Sequence, residues 1–128
     1  KSSPYAQSPS GLPLVQHALP MMLTMAERHG WDLPFIVRKM AHDPAICFQI
    51  LDRGFIREGY YADLVLLDAN AVVEVVKSDL LYKCGWSPLE GRKLKGKIKY
   101  TLVNGQVVFD GSRVLPQRNA KRLEFFRA

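Results

Sequence analysis

The sequence predicts an α+β chain, helical through residues 1–54 and β-rich through residues 55–128. Three observations predict it. In the first half Leu12, Val15, Leu19, Met22, Leu23 and Ala26 recur at three- and four-residue intervals, the spacing of one helix face. In the second half Lys95, Lys97 and Lys99 alternate with Ile98, Tyr100 and Leu102, the two-residue period of a strand. Asn104-Gly105 then separates that run from Gln106–Phe109, and Asn-Gly between two apolar runs is the strongest short hairpin signal, because a type I′ turn needs positive φ at both central residues.

The elements follow in order. The opening stretch SPYAQSPSG is a Ser/Pro/Gly loop. The first helix is expected from Leu12 to about His29, with Pro13 in its first turn and Gly30 as its stop. Pro20 would remove an internal hydrogen bond, so a bend or split is expected there. Asp32 is a plausible N-cap for a second helix carrying Leu33, Ile36, Val37, Met40 and Ala41. Asp43-Pro44 is read as the start of a third, short helix, ended by Arg53-Gly54. ADLVLLD, residues 62–68, reads as a buried strand, and the basic end RNAKRLEFFRA fits a strand, a short helix or a tail equally well.

Composition narrows the class. With 48% apolar and 23% charged residues the chain is globular rather than disordered, and 128 residues suit one ordinary domain. A net charge of +6 permits an anionic partner without requiring one. Cys47 and Cys84 lie far apart with no CxxC or Cys/His ligand spacing, the usage of a reduced, cytoplasmic protein rather than of a disulfide scaffold. No apolar run approaches the roughly 20 residues that span a bilayer, and no secretory signal opens the chain. Because the first residue is Lys1 and not Met, an upstream portion is expected to exist.

Chemistry is sparse. His17, His29 and His42 are too far apart for a local motif such as HExxH, and each reads first as a packing histidine; His17 lies nearest the opening loop. No P-loop, GxSxG or dinucleotide fingerprint occurs. The lysine row at 93, 95, 97 and 99, with Arg92, suits phosphates, yet lacks the interleaved aromatics of an RNA-binding strand and reads better as the solvated face of an edge strand. Asp63 has the chemistry of a catalytic acid, but at the entry of a strand just after a turn it reads better as satisfying local backbone donors. SPSG differs, since a glycine loop lets backbone N–H groups approach a ligand closely; it is the place to look for substrate contact, and a plain connector fits the residues equally well.

Taken together, SPSGLPLVQHALP, RGFIREGYYADLVLLD, YKCGWSPLEG and LVNGQVVFDG resemble, in order and over nearly all of the chain, the C-terminal portion of dihydroorotases of the amidohydrolase superfamily. The resemblance implies the closing helices of a (β/α)₈ barrel followed by the C-terminal part of a small β-sandwich domain. It implies metal-dependent interconversion of N-carbamoyl-L-aspartate and L-dihydroorotate in pyrimidine biosynthesis, commonly with zinc. The HxH pair and the other metal ligands have no counterpart here, so catalytic and metal-binding residues are expected in a missing N-terminal part, and this chain alone is expected to bind no zinc and to be inactive. What the resemblance leaves to this chain is substrate binding by the backbone of Ser10 and Gly11, flanked by Pro9 and Leu12.

The expected partners are that N-terminal part, the small-molecule substrate and further copies in a homo-oligomer, with neither membrane nor nucleic acid among them. Cut away from its complement, such a piece should expose apolar patches and associate. Two alternatives remain open: a catalytically silent dihydroorotase-like assembly partner, and a basic nucleic-acid-binding domain.

Overall fold

The computed structural model describes Pro4, Gln7, residues 11–116 and residues 119–126. A single 3₁₀ turn, Val15–His17, leads into helix α1, Ala18–His29. The helix thus begins six residues later than the apolar spacing suggests, and the break falls at His17 rather than at Pro20. The physical reason is the proline itself. As the third residue of α1, Pro20 occupies the first turn, where an N–H would have no intrahelical partner. Gly30 ends α1 at φ 66°, with its N–H and that of Trp31 both on the Ala26 carbonyl.

Asp32 caps the next helix as expected, its carboxylate accepting the Phe35 N–H at 2.8 Å. Helix α2 (Leu33–Val37) does not stop before Pro44, however. It continues through a wide π turn, Arg38–His42, into α3, Asp43–Cys47. Here the Asp43 N–H reaches back five residues to the Arg38 carbonyl. Pro44 cannot donate, and its ring would collide with the carbonyl four residues earlier, so a locally widened ladder lets the helix pass it. The end comes at Cys47, before the positive φ of Gln49 and Asp52, and not at Arg53-Gly54.

Three antiparallel strands follow in the order β1-β2-β3: β1 Leu64–Glu74, β2 Lys93–Val103 and β3 Gln106–Phe109. The hairpin expected at Asn104-Gly105 is present, with φ 49° and 79°. β1 is longer than the apolar run ADLVLLD because it resumes after a bulge. Asp68 pairs with Lys97 and Val72 with Lys95, and the intervening loop is tied by Asp68 Oδ1 accepting the Asn70 and Ala71 N–H groups. Only Thr101–Val103 of β2 pair with β3, so among the described residues the lysine-bearing part of β2 has β1 on one side alone.

α1 lies on the sheet and divides its apolar side chains between two clusters. Leu23, Ala26 and Ile36 are buried with Leu19, Met22, Trp31 and Leu67 around them. Val75, Leu89 and Leu94 are buried with Leu14, Met21 and Leu80. Burying a side chain such as Leu23 or Leu94 is worth about 1.5–3 kcal/mol, so these few residues carry much of the fold. Thr24 adds a polar tie, its Oγ1 accepting the Lys95 N–H at 2.8 Å. The C-terminal end pairs back onto the helical half, Ile50 opposite Phe125. Cys47 and Cys84 are free thiols. No helix among the described residues is long and apolar enough to cross a membrane.

Candidate functional site

The loop that leads into the 3₁₀ turn is the candidate site. Ser10 and Pro9 lie outside the described residues. Gly11 is exposed with φ 78°, a conformation that favours glycine, and among the described residues no atom beyond its chain neighbours lies within 4 Å of where its Cβ would stand. Leu12 is exposed, whereas Leu14, two residues on, packs against the Val75–Leu89–Leu94 cluster and anchors the loop.

Beyond the exposed Val15, Gln16 and His17 meet a segment from the far half of the chain. The Gln16 N–H donates to Tyr82 Oη at 2.9 Å, Gln16 Nε2 donates to the Asp79 carbonyl at 2.7 Å, and Gln16 Oε1 accepts the Leu81 N–H at 2.9 Å. Tyr82 Oη also lies 3.4 Å from His17 Nδ1. Partial burial holds the His17 pKa below its ordinary value and favours the neutral ring, which can accept the phenol proton at Nδ1. His17, singled out for its position beside the loop, is thus in contact with the loop's support. Gln16 and Tyr82 lie within the motifs SPSGLPLVQHALP and YKCGWSPLEG, but nothing local in the sequence pairs them, since they are 66 residues apart.

The other candidates belong to packing. His29 stacks on Trp31 with centroids 4.7 Å apart, and His42 on Phe55 at 4.3 Å. Asp63 does satisfy a backbone donor, but a distant one: Oδ1 accepts the Asn104 N–H at 2.8 Å while Oδ2 accepts from the buried guanidinium of Arg53. Arg53 also lies over the Tyr61 ring at 4.2 Å and donates to Asn104 Oδ1, and Asn104 in turn bonds Asn119. This network joins the end of the helical half, the start of β1, the hairpin and the C-terminal segment. Among the described residues no three His, Cys, Asp or Glu side chains converge on a point where a metal ion would be held. The residues present therefore do not fit a zinc site by themselves, and the three histidines are each engaged by an aromatic ring.

The lysine row is partly neutralised. Lys97 stands opposite Asp68 and Lys93 opposite Glu74 across the β1–β2 pairing, and Lys95 forms an ion pair with Glu27 at 3.1 Å.

The chain is similar to known proteins. The chain is 34% identical over 112 residues to a dihydroorotase from Clostridium acetobutylicum, covering 86% of this chain and 26% of that protein. It is 36% identical over 114 residues to a dihydroorotase from Halobacterium salinarum, covering 89% of this chain and 27% of that protein. Among solved structures, the L-hydantoinase (dihydropyrimidinase) from Arthrobacter aurescens superposes with a TM-score of 0.73 at 32% identity, covering 84% of this chain and 24% of that one. The chain thus spans about a quarter of the length of the relatives it matches. Residues 12–108, from the exit of the glycine loop through the helices to the β2–β3 hairpin, match the amidohydrolase family, and the chain belongs to that family.

Proposed function

We propose that the chain is the C-terminal part of a dihydroorotase, a metal-dependent cyclic amidohydrolase that interconverts N-carbamoyl-L-aspartate and L-dihydroorotate in the cytoplasm. The observation that carries this reading is the 34% identity with the Clostridium acetobutylicum dihydroorotase over 112 residues. In this reading residues 1–54 supply the last barrel loop and closing helices, and residues 55–128 the C-terminal part of a β-sandwich. The backbone at Ser10 and Gly11 holds the ring or carboxylate of the substrate, and the open left-handed backbone at Gly11 suits that role. Zinc and its ligands reside in the N-terminal part of the enzyme, where a bound metal lowers the pKa of water and polarises the ring carbonyl. The chain on its own has no hydrolase activity, and the full enzyme is a homo-oligomer.

The test is a graft. Replacing the last quarter of the Clostridium acetobutylicum dihydroorotase with this chain is expected to restore ring opening of dihydroorotate that the truncated enzyme lacks. The isolated chain, with or without added zinc, is expected to show none. A folded, metal-loaded graft that stays inactive would favour the silent assembly partner, and metal-independent turnover by the isolated chain would refute the assignment.

A further inference from the structure

We propose that Gln16 and Tyr82 form a clamp that positions the substrate loop by fastening its exit to the Asp79–Tyr82 segment; the inference rests on the reading of Gly11 as a substrate contact. A Gln side-chain amide carries one acceptor and an NH₂ donor, as a peptide group does. Gln16 uses both on one partner segment, accepting the Leu81 N–H at 2.9 Å and donating to the Asp79 carbonyl at 2.7 Å. Its side chain therefore stands in for a residue of an adjoining strand. The backbone N–H of the same residue donates to Tyr82 Oη, which closes the attachment from the other side.

Sequence distance makes the clamp informative. Gln16 lies five residues after Gly11, in a turn of three residues whose His17 N–H bonds the Leu14 carbonyl at 3.0 Å. So short a turn has little stability of its own. Its geometry is held by Leu14 and Leu80, which pack on the same apolar cluster, and by the Gln16 and Tyr82 bonds beside them. Whatever the backbone at Gly11 holds is thus placed by the segment running from Asp79 to Tyr82 as much as by α1. Glutamate at position 16 would lose the donor and set a carboxylate against the Asp79 carbonyl, and asparagine would be one methylene too short to span the gap.

Gln16 and Tyr82 are positioning residues and touch no reacting atom, so the test separates order from fold. Amide exchange of the chain is measured for wild type, Gln16→Met and Tyr82→Phe. Loss of two ordinary hydrogen bonds in Gln16→Met is expected to speed exchange at the His17 amide by about tenfold, with the interior amides of α1 unchanged. Tyr82→Phe, which keeps the ring and its packing, is expected to move the same amide in the same direction and serves if Gln16→Met does not fold. Unchanged His17 exchange in both variants overturns the clamp, as does a rise shared equally by α1, which marks general destabilisation. In the full enzyme carrying this chain, the same substitutions are expected to raise KM for dihydroorotate by about tenfold with kcat within about twofold. Unchanged KM alongside faster His17 exchange overturns positioning as the purpose of the clamp. An unmutated enzyme that does not turn over dihydroorotate refutes the dihydroorotase assignment alone, and the exchange measurement still decides whether the turn is clamped.

Discussion

His17 shows how far a single residue can be read. Its place beside the loop is plain in the sequence, whereas its partner Tyr82 is 65 residues away. Burial lowers its pKa in the folded chain from the ordinary 6.5, so the unfolded chain binds the proton more readily. Stability from this residue is therefore complete above pH 6.5 and declines as pH falls through 6.5 toward the lower folded value. Urea midpoints measured at pH 8 and pH 5 are expected to differ less in His17→Gln than in wild type; an equal difference would place the pH dependence elsewhere. Arg53 behaves differently. It was legible only as the end of a helix, yet it is buried on Asp63 and Tyr61, because the chain reverses between them and brings residues ten apart into contact. Arg53→Met is expected to leave the partly exposed Asp63 carboxylate without its cation and to destabilise the chain by about 1.5 kcal/mol in denaturant titration, the low end for losing a hydrogen bond to a charged group, because water reaches the carboxylate.

At the scale of elements, the contact between α1 and the sheet depends on one glycine. Gly96 faces the β1 bulge with φ 92°, and a Cβ there would stand 2.5 Å from Leu23 Cδ1. The left-handed backbone and the overlap act together. Gly96→Ala is expected to destabilise the fold by about 1–3 kcal/mol, through backbone strain and overpacking of a buried leucine. If the overlap matters, Leu23→Ala in the Gly96→Ala background costs less than Leu23→Ala alone, where a cavity typically costs about 2–5 kcal/mol. Strictly additive effects in the double mutant would mean that φ strain alone is at work. Nothing in the lysine alternation of the strand points to this role for Gly96. Cap residues fared better, Gly30 and Asp32 both ending or starting helices where the sequence places them, since a cap acts within one turn of its own position.

The whole molecule leaves much of its sheet bare. Val65 and Leu66 are consecutive residues of β1, which point to opposite faces, and they are 47% and 50% exposed. Leu81, Trp86, Phe48 and Phe126 are exposed as well. Surfaces of this kind mark interaction sites or drive aggregation. The isolated chain is expected to associate with rising concentration in native mass measurements, and co-expression with the N-terminal part of the enzyme is expected to yield a defined complex instead. A stable monomer at high concentration, with its apolar surface unchanged, would remove this expectation. The sequence by itself determined the α+β order, the capped helix ends, the Asn104-Gly105 hairpin and the kinship with dihydroorotases, because these are written in residues within a few positions of one another or in motifs that stay contiguous. Only the tertiary structure decided that Arg53 pairs with Asp63 and that Gln16 grips the Asp79–Tyr82 segment. Those outcomes depend on which polar groups and apolar faces meet after the chain has closed on itself, and no local pattern encodes a partner ten residues away across a chain reversal, still less one more than 60 residues away.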